Sequence, residues 1–258
     1  MSRSEFDRAG VRPVPVRISD LVVTQGTFRL GPISLQMQPG ELTCVIGTNG
    51  SGKTTLLRAL VGLLRANGGS VEICGLDAAG RAPHVLREIG YVPDEGDTRI
   101  PELTASEFWE LHALAQSSHR GSMAAMLDEA DRLAHFLDFD PPARVRMAAF
   151  SHGMAKKCEI IAGLLHDPTV AIFDEPRNGL DPIAVEQFEL MIESLLRRDR
   201  AVIIATHDLR FAERVADNVV VLDRGCCTYT GPLSDVVEHD SGLVSAFFKL
   251  VGAQRHES

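Results

Sequence analysis

The sequence contains no long apolar run. Stretches such as Ala201-Val202-Ile203-Ile204-Ala205 are of strand length, far short of the ~20 residues a helix needs to cross a bilayer. Any membrane pore is therefore expected to be a separate polypeptide. The opening residues, Met1-Ser2-Arg3-Ser4-Glu5-Phe6-Asp7, carry no apolar stretch of the kind that marks a secretory signal. Basic excess is also missing. The net charge is -9, so no nucleic-acid partner is expected, because such binding gains from cations neutralising phosphates. No C-x-x-C spacing occurs among Cys44, Cys74, Cys158, Cys226 and Cys227. That removes the usual zinc frameworks, and the odd count argues against a disulfide scaffold. Inert thiols in a reducing compartment are expected. Internal repeats and low-complexity tracts are absent.

What is present is an ordinary globular balance, 45% hydrophobic and 24% charged over 258 residues. That length allows one large α/β domain or two small ones. Val14, Val16 and Ile18 alternate with other residues, as do Ile33, Leu35 and Met37. Both read as strands with one buried face. Leu42-Thr43-Cys44-Val45-Ile46 reads as a short buried strand. A helix is expected after it, with Leu56, Leu57, Leu60, Val61 and Leu64 on one stripe and Asn67-Gly68-Gly69 as its stop. Val71-Glu72-Ile73-Cys74 reads as the next strand. Thr104-Ala105-Ser106-Glu107 fits a capping box, and helical pattern then runs to about residue 138 before Asp140-Pro141-Pro142. A second amphipathic helix follows Ser151. Further on, apolar strands at 170–173, 202–205 and 219–222 alternate with helices. Such alternation predicts a parallel sheet covered on both faces. The expected fold is an α/β core with a helical insert at about 100–165.

The chemistry is concentrated at two places. Gly47-Thr48-Asn49-Gly50-Ser51-Gly52-Lys53-Thr54 matches G-x-x-x-x-G-K-[ST] between a buried strand and a helix. Its glycines let backbone N–H groups curl around phosphates. The helix N-terminus adds about half a positive charge. Lys53 is expected on the β- and γ-phosphates and Thr54 on Mg²⁺, with Thr55 assisting the cradle. Val170-Ala171-Ile172-Phe173-Asp174-Glu175 is an apolar strand ending in two carboxylates, at the sheet edge where α/β folds bind ligands. Asp174 is expected to hold Mg²⁺ through water, and Glu175 to act as the base for the attacking water.

With these motifs in hand, the chain resembles the ABC ATPase family over most of its length. Phe150-Ser151-His152-Gly153-Met154-Ala155-Lys156-Lys157 resembles the family's signature motif at Ser151 and Gly153, with His152 and Met154 where Gly and Gln are commonest. Asp174-Glu175-Pro176 with Gly179-Leu180-Asp181-Pro182 resembles the Walker B and D-loop, and Ala205-Thr206-His207-Asp208 the switch histidine. The resemblance implies a P-loop NTPase core with a parallel sheet, an N-terminal antiparallel β subdomain and a helical insert. One ABC ATPase domain is then expected over 14–252, a RecA-like core with a helical subdomain at about 100–165 and flexible tails at 1–13 and 253–258. It also implies an ATP hydrolase using ATP and Mg²⁺, bound peripherally on the cytoplasmic side of the cell membrane and driving a separately encoded transmembrane permease subunit. A second ATPase subunit would close head to tail on the first. Ser151, Gly153 and Asp181 would then meet nucleotide held by Gly47, Asn49, Gly50, Ser51, Gly52, Lys53, Thr54 and Thr55 of the other subunit. His207 would contact the γ-phosphate.

Three departures from the family pattern stand out. The place of the adenine-stacking aromatic falls at Thr24 or Gln25, with Phe28 as a nearby substitute. In Tyr91-Val92-Pro93-Asp94-Glu95, Asp94 stands where the Q-loop glutamine is usual; a carboxylate there is a hard oxygen ligand suited to Mg²⁺. Arg177 stands where a small residue is common and reads as a surface variation. The Tyr-Val-Pro-Asp-Glu and Ser-His-Gly-Met-Ala-Lys-Lys runs look more like the bacterial exporter branch than like nutrient importers. The residues after His207 read as a last strand, a hairpin and short helices, with no extra regulatory domain expected. Two other readings compete with transport: an ABC ATPase acting on ribosomes or DNA, and a partner that binds ATP without hydrolysing it. The missing second ATPase half and coiled coil argue against the first, and Glu175 and His207 against the second.

Overall fold

The computed structural model describes residues 13–78, 82–94, 100–116, 122–141, 143–237 and 242–252. The tails expected to be flexible fall almost wholly outside these residues, as does Glu95.

Two sheets form the frame. β1 (Val16–Gln25) and β2 (Phe28–Met37) pair antiparallel, and β4 (Gly68–Ile73) pairs on the other side of β1 with the two-residue β5 (Leu76–Asp77) beyond it. Alternate residues of β1, among them Val16, Ile18, Leu21 and Val23, are buried. That is the expected signature of a sheet with one wet face. The second sheet has the order β10-β9-β3-β8-β7-β6. Its members are β3 (Leu42–Gly47), β6 (Ile89–Val92), β7 (Val170–Asp174), β8 (Ala201–Thr206), β9 (Asn218–Asp223) and β10 (Cys226–Pro232). Only the β9–β10 hairpin is antiparallel.

Every residue of β3, β7 and β8 is buried. The two faces serve different cores, split by the period of two. Val45, Ile172, Ile203 and Val220 meet α1 (Lys53–Leu60) and the four-stranded sheet. Cys44, Ile46, Phe173, Ile204 and Val221 meet the helices of the other side. These include α5 (His152–Leu164), α6 (Pro182–Arg197) and α7 (Leu209–Val215). The Phe173 and Phe188 rings meet edge to face, 5.3 Å between centroids, and seat α6 on β7.

The helical insert holds α3 (Ala105–Gln116), α4 (Met123–Phe136) and the start of α5. The capping box is formed: the Thr104 N–H donates to Glu107 Oε2 at 2.8 Å and the Glu107 N–H to Thr104 Oγ1 at 3.3 Å. The short α2 (Pro83–Leu86) leads into β6, and α8 (Leu233–Val237) and α9 (Leu243–Gly252) follow the hairpin. Among the described residues, no helix is long and apolar enough to cross a membrane.

The helix expected to run on toward Asn67 stops at Leu60 instead. The Gly62 N–H bonds to the Ala59 carbonyl and the Leu63 N–H to the Arg58 carbonyl, with Gly62 at φ 69°. This pair of bonds around a left-handed residue satisfies the last carbonyls and ends the helix. Gly68 and Gly69, expected as the stop, lie inside β4. The five cysteines form no disulfide; Cys44 and Cys158 are buried and Cys226 is exposed.

One close approach matters for the site. A Cβ on Gly90 of β6 would press into the Gly163 carbonyl and come within 2.8 Å of Pro168, and one on Gly163 of α5 would come within 2.8 Å of Val92. Glycine against glycine thus lets α5 lie directly on β6. Gly90→Ala is expected to cost about 1–3 kcal/mol, the usual penalty of overpacking. Urea unfolding measures this; an unchanged midpoint would show that the contact yields freely.

Candidate active site

Strand order brings the site together. β3, β8 and β7 are neighbours in parallel register, with Ile46 opposite Thr206 and Asp174 opposite Ala205. The loops that leave their carboxyl ends therefore emerge side by side. β6 lies next to β7, Val92 opposite Phe173, so Asp94 follows two residues later at the same edge. A cleft of about 550 Å³ opens there. It is lined by Thr48, Asn49, Gly50, Ser51, Gly52, Lys53, Thr54 and Thr55, by Asp94, Asp174 and Glu175, and by Gln25 and Phe28.

The glycine-rich loop needs its glycines. A side chain on Gly47 would collide with Ser51 Oγ and come within 2.5 Å of the Leu222 carbonyl. Gly50 and Gly52 sit at φ 78° and 112°, in the left-handed region. Gly52 begins α1 and no side chain caps that end, so the first N–H groups of the helix point at the cleft unsatisfied by any cap. Ser51 Oγ is buried without a hydrogen-bond partner among the described residues. Lys53, only 7% exposed, donates from Nζ to the Gly47 carbonyl at 2.9 Å.

Three ionisable side chains then stand in line. Lys53 Nζ lies 3.6 Å from Glu175 Oε1. The same Oε1 lies 2.9 Å from His207 Nδ1. Glu175 holds this place with φ 43°, a left-handed conformation that costs an L-residue about 1–2 kcal/mol. Its N–H still bonds to the Ala205 carbonyl at 2.9 Å, extending the β7–β8 ladder by one residue. Strain kept at a carboxylate inside a cleft is typical of functional sites.

Asp174 is 1% exposed, and neither of its carboxylate oxygens makes a hydrogen bond of good geometry among the described residues. Burial is the main force pushing its carboxyl above the usual range, and Asp94 and Glu175 add to it; the neighbouring Thr54 hydroxyl and Lys53 pull the other way. A buried carboxylate left this way calls for a cation. Thr54, Asp94 and Asp174 supply the oxygens that a hard divalent ion such as Mg²⁺ takes.

Asp94 is held from two sides. Asn178 Nδ2 donates to Asp94 Oδ1 at 3.0 Å. Lys156, 2% exposed on α5, donates from Nζ to the carbonyls of Pro93 and Asp94 at 2.8 and 2.6 Å. Sequence reasoning assigned Lys156 no role. Its sequence neighbours, Lys157 and Glu159 among them, gave no signal; its burial, which obliges the charge to find acceptors, is visible only in the fold.

Ser151 is exposed and does not line the cleft of its own chain. It caps α5, accepting the Met154 N–H at 3.2 Å. Gly153 and Gly179 pack where a side chain on Gly179 would run into the His152 ring, so the start of α5 rests on the loop after β7. Asp181 likewise caps α6, accepting the Ala184 N–H at 2.9 Å, and lies outside the cleft. Phe28 lines the cleft with its ring against Gly52 and Gly225, while Thr24 does not reach it. Arg177 is not the surface variation expected. Its guanidinium pairs with Asp208 and lies over the Phe211 ring.

Fold and site together define a P-loop ATPase. The family model described as ABC transporter matches residues 30–178, and the chain belongs to that family as an ATP-binding, ATP-hydrolysing subunit. It is 30% identical over 235 residues to the Nod factor export ATP-binding protein I of Burkholderia orbicola (strain AU 1054), covering 90% of this chain and 73% of that protein. It is 29% identical over 209 residues to the ABC transporter ATP-binding protein NatA of Bacillus subtilis (strain 168), covering 81% of this chain and 83% of that one. Among solved structures, an ATP-binding subunit of an ABC transporter superposes with a TM-score of 0.82 at 27% identity, covering 91% of this chain and 98% of its own. A dimeric ATP-binding cassette in a post-hydrolysis state with ADP and Pi shares the fold, with a TM-score of 0.74 at 22% identity, over 84% of this chain and 98% of its own. These relatives favour transport over a ribosome- or DNA-acting ATPase.

The buried charge of Asp174 generates a prediction. Asp174→Asn is expected to raise the stability of the nucleotide-free protein at neutral pH, because it removes a charge that burial disfavours. Because the folded state raises the carboxyl's pKa, the destabilisation is fully present above that raised value and vanishes below the unfolded one. The gain should therefore shrink as pH falls into the ordinary carboxylate range. Thermal melts of both proteins across pH test this; a variant less stable than wild type at pH 7 would contradict it.

Proposed function

We propose that this chain is the ATP-driven motor of an exporter, bound peripherally at the cytoplasmic face of a membrane through a separate membrane-spanning permease subunit. In this reading residues 14–252 work as one ATPase domain, with about 100–165 as its helical subdomain. The observation that carries the proposal is the buried carboxylate of Asp174, beside the Thr54 hydroxyl and the Lys53–Glu175–His207 chain. The first arrangement suits a cation and the second a phosphate with a water behind it. Export is favoured by the 30% identity to a Nod factor export ATP-binding protein over nine tenths of this chain.

The roles follow from charge and reach. The N–H groups of 49–55 and the Lys53 ammonium bind the phosphates of ATP, Lys53 at the β- and γ-phosphates. Thr54, Asp94 and, through water, Asp174 hold Mg²⁺, which when bound neutralises charge on those phosphates. Glu175 accepts the proton of the attacking water while the bond between the γ-phosphorus and the β-phosphate oxygen breaks, leaving ADP and inorganic phosphate. His207 orients Glu175 and contacts the γ-phosphate.

Ser151 and Gly153 have no nucleotide role within their own chain, since Ser151 is exposed and outside the cleft. They and Asp181 serve the cleft of a second ATPase subunit, docked head to tail, a copy of this chain or a relative. The hydroxyl and helix N-terminus at Ser151 are suited to a γ-phosphate. ATP then closes the pair, and hydrolysis opens it; that cycle moves the permease.

Two variants test this. Glu175→Gln is expected to retain ATP and slow hydrolysis on the order of a hundredfold or more, as for loss of a general base. It should accumulate as a dimer in ATP and Mg²⁺ by size-exclusion chromatography. Adding Ser151→Arg on that background should leave ATP binding intact and abolish the dimer. Wild-type turnover in the first variant, or an undisturbed dimer in the second, would refute the roles of Glu175 and Ser151 respectively.

A further inference from the structure

Arg177 joins the two loops that carry the reacting groups. It stands two residues after Glu175, and Asp208 stands one residue after His207. Arg177 Nη1 donates to Asp208 Oδ2 at 2.7 Å. The guanidinium carbon lies 4.6 Å from the centre of the Phe211 ring, which is 1% exposed. Asp208 is fixed in turn. Its Oδ1 accepts the Phe211 N–H at 3.0 Å, and its own N–H donates to Thr206 Oγ1 at 3.1 Å. Thr206 ends β8 and is buried. Although burial pushes the Asp208 carboxyl up, the Phe211 N–H and the Arg177 guanidinium outweigh it and hold the group below the usual carboxylate range. Asp208 is thus charged and turned toward Arg177 throughout the neutral range.

This arrangement is poorly suited to stability alone. Part-exposed ion pairs contribute little, and Arg177 Nε is buried with no hydrogen-bond partner among the described residues, which works against the fold. What the pair does fix is direction. A planar guanidinium stacked on a ring and bonded to a carboxylate has little rotational freedom. On the active-site side of the same two loops, His207 Nδ1 meets Glu175 Oε1 at 2.9 Å. His207 has no comparable packing of its own, its side chain being 60% exposed.

We propose that Arg177 is a positioning residue for hydrolysis: through Asp208 and Phe211 it locks the His207 loop against the Glu175 loop, so that the imidazole and the carboxylate stay in contact. It touches neither nucleotide nor water. The inference rests on the roles given to Glu175 and His207 above. Loss of the lock frees His207 to leave Glu175, misplacing the base without disturbing the phosphate loop.

The experiment is a double-mutant cycle on steady-state ATP hydrolysis with Arg177→Met, Asp208→Asn and the double variant, with Arg177→Lys as the conservative control. Asparagine still caps α7 but loses the charge. Each single variant is expected to lose roughly tenfold to a hundredfold in kcat, in keeping with a small misplacement of a reacting group. KM for ATP and the thermal midpoint should hardly move. The double variant should be no worse than either single one, and Arg177→Lys should recover part of the loss. Turnover within twofold of wild type in Arg177→Met, losses that multiply in the double variant, or a kcat loss matched by a fall in thermal midpoint would overturn the proposal. Glu175→Gln separates the two levels. If it hydrolyses ATP normally the underlying reading fails; if it is inactive and Arg177→Met is not, only the lock fails.

Discussion

Lys53 keeps its ammonium inside the protein, bonded to the Gly47 carbonyl and close to Glu175. A charge placed there is costly to desolvate, and a buried pair of this kind roughly breaks even against the attraction it gains. The arrangement therefore makes sense less as a stabilising contact than as preparation for an anion. The uncapped start of α1 and the left-handed glycines beside it serve that end, while the buried Asp174 calls for a cation. On the proposed reading, phosphates would satisfy the cations and N–H groups, and a divalent ion the carboxylate. Until they arrive, polar groups at this edge of the sheet stand partly unpaired.

The rest of the fold holds that cluster in place. Fully buried β3, β7 and β8 fix three loop origins side by side. α5 lies on β6 through Gly90 and Gly163 and reaches back with Lys156 to hold the backbone of Asp94. The same helix presents Ser151 at its exposed start. A single element thus touches both the Asp94 side of the cleft and the surface that faces outward.

Much of this was legible in the sequence because it is local. The phosphate loop, the two terminal carboxylates of β7, the capping box at Thr104 and the alternation of buried strands with helices each follow from residues near one another in the chain. The end of α1 was misread because Gly62, a single residue in a left-handed turn, outweighs an apolar stripe that continues to Leu64. Arg177 was read as a surface variation and Lys156 was given no role for a different reason. Their partners, Asp208 and the carbonyls at 93–94, are distant in sequence, and only the strand order brings them together. Ser151 and Asp181 are a third kind: both show capping bonds within the chain, and the further roles proposed for them need a pair of chains.

The central claim is that the Lys53 ammonium and the Asp174 carboxylate await a phosphate and its metal. The most direct measurement is a crystal structure of the wild-type protein with Mg²⁺ and a non-hydrolysable ATP analogue. The account predicts Lys53 Nζ on the β- and γ-phosphates, with the ion between the phosphates, Thr54 and the Asp174 side. A triphosphate bound away from the start of α1, or no ion near Asp174, would contradict it.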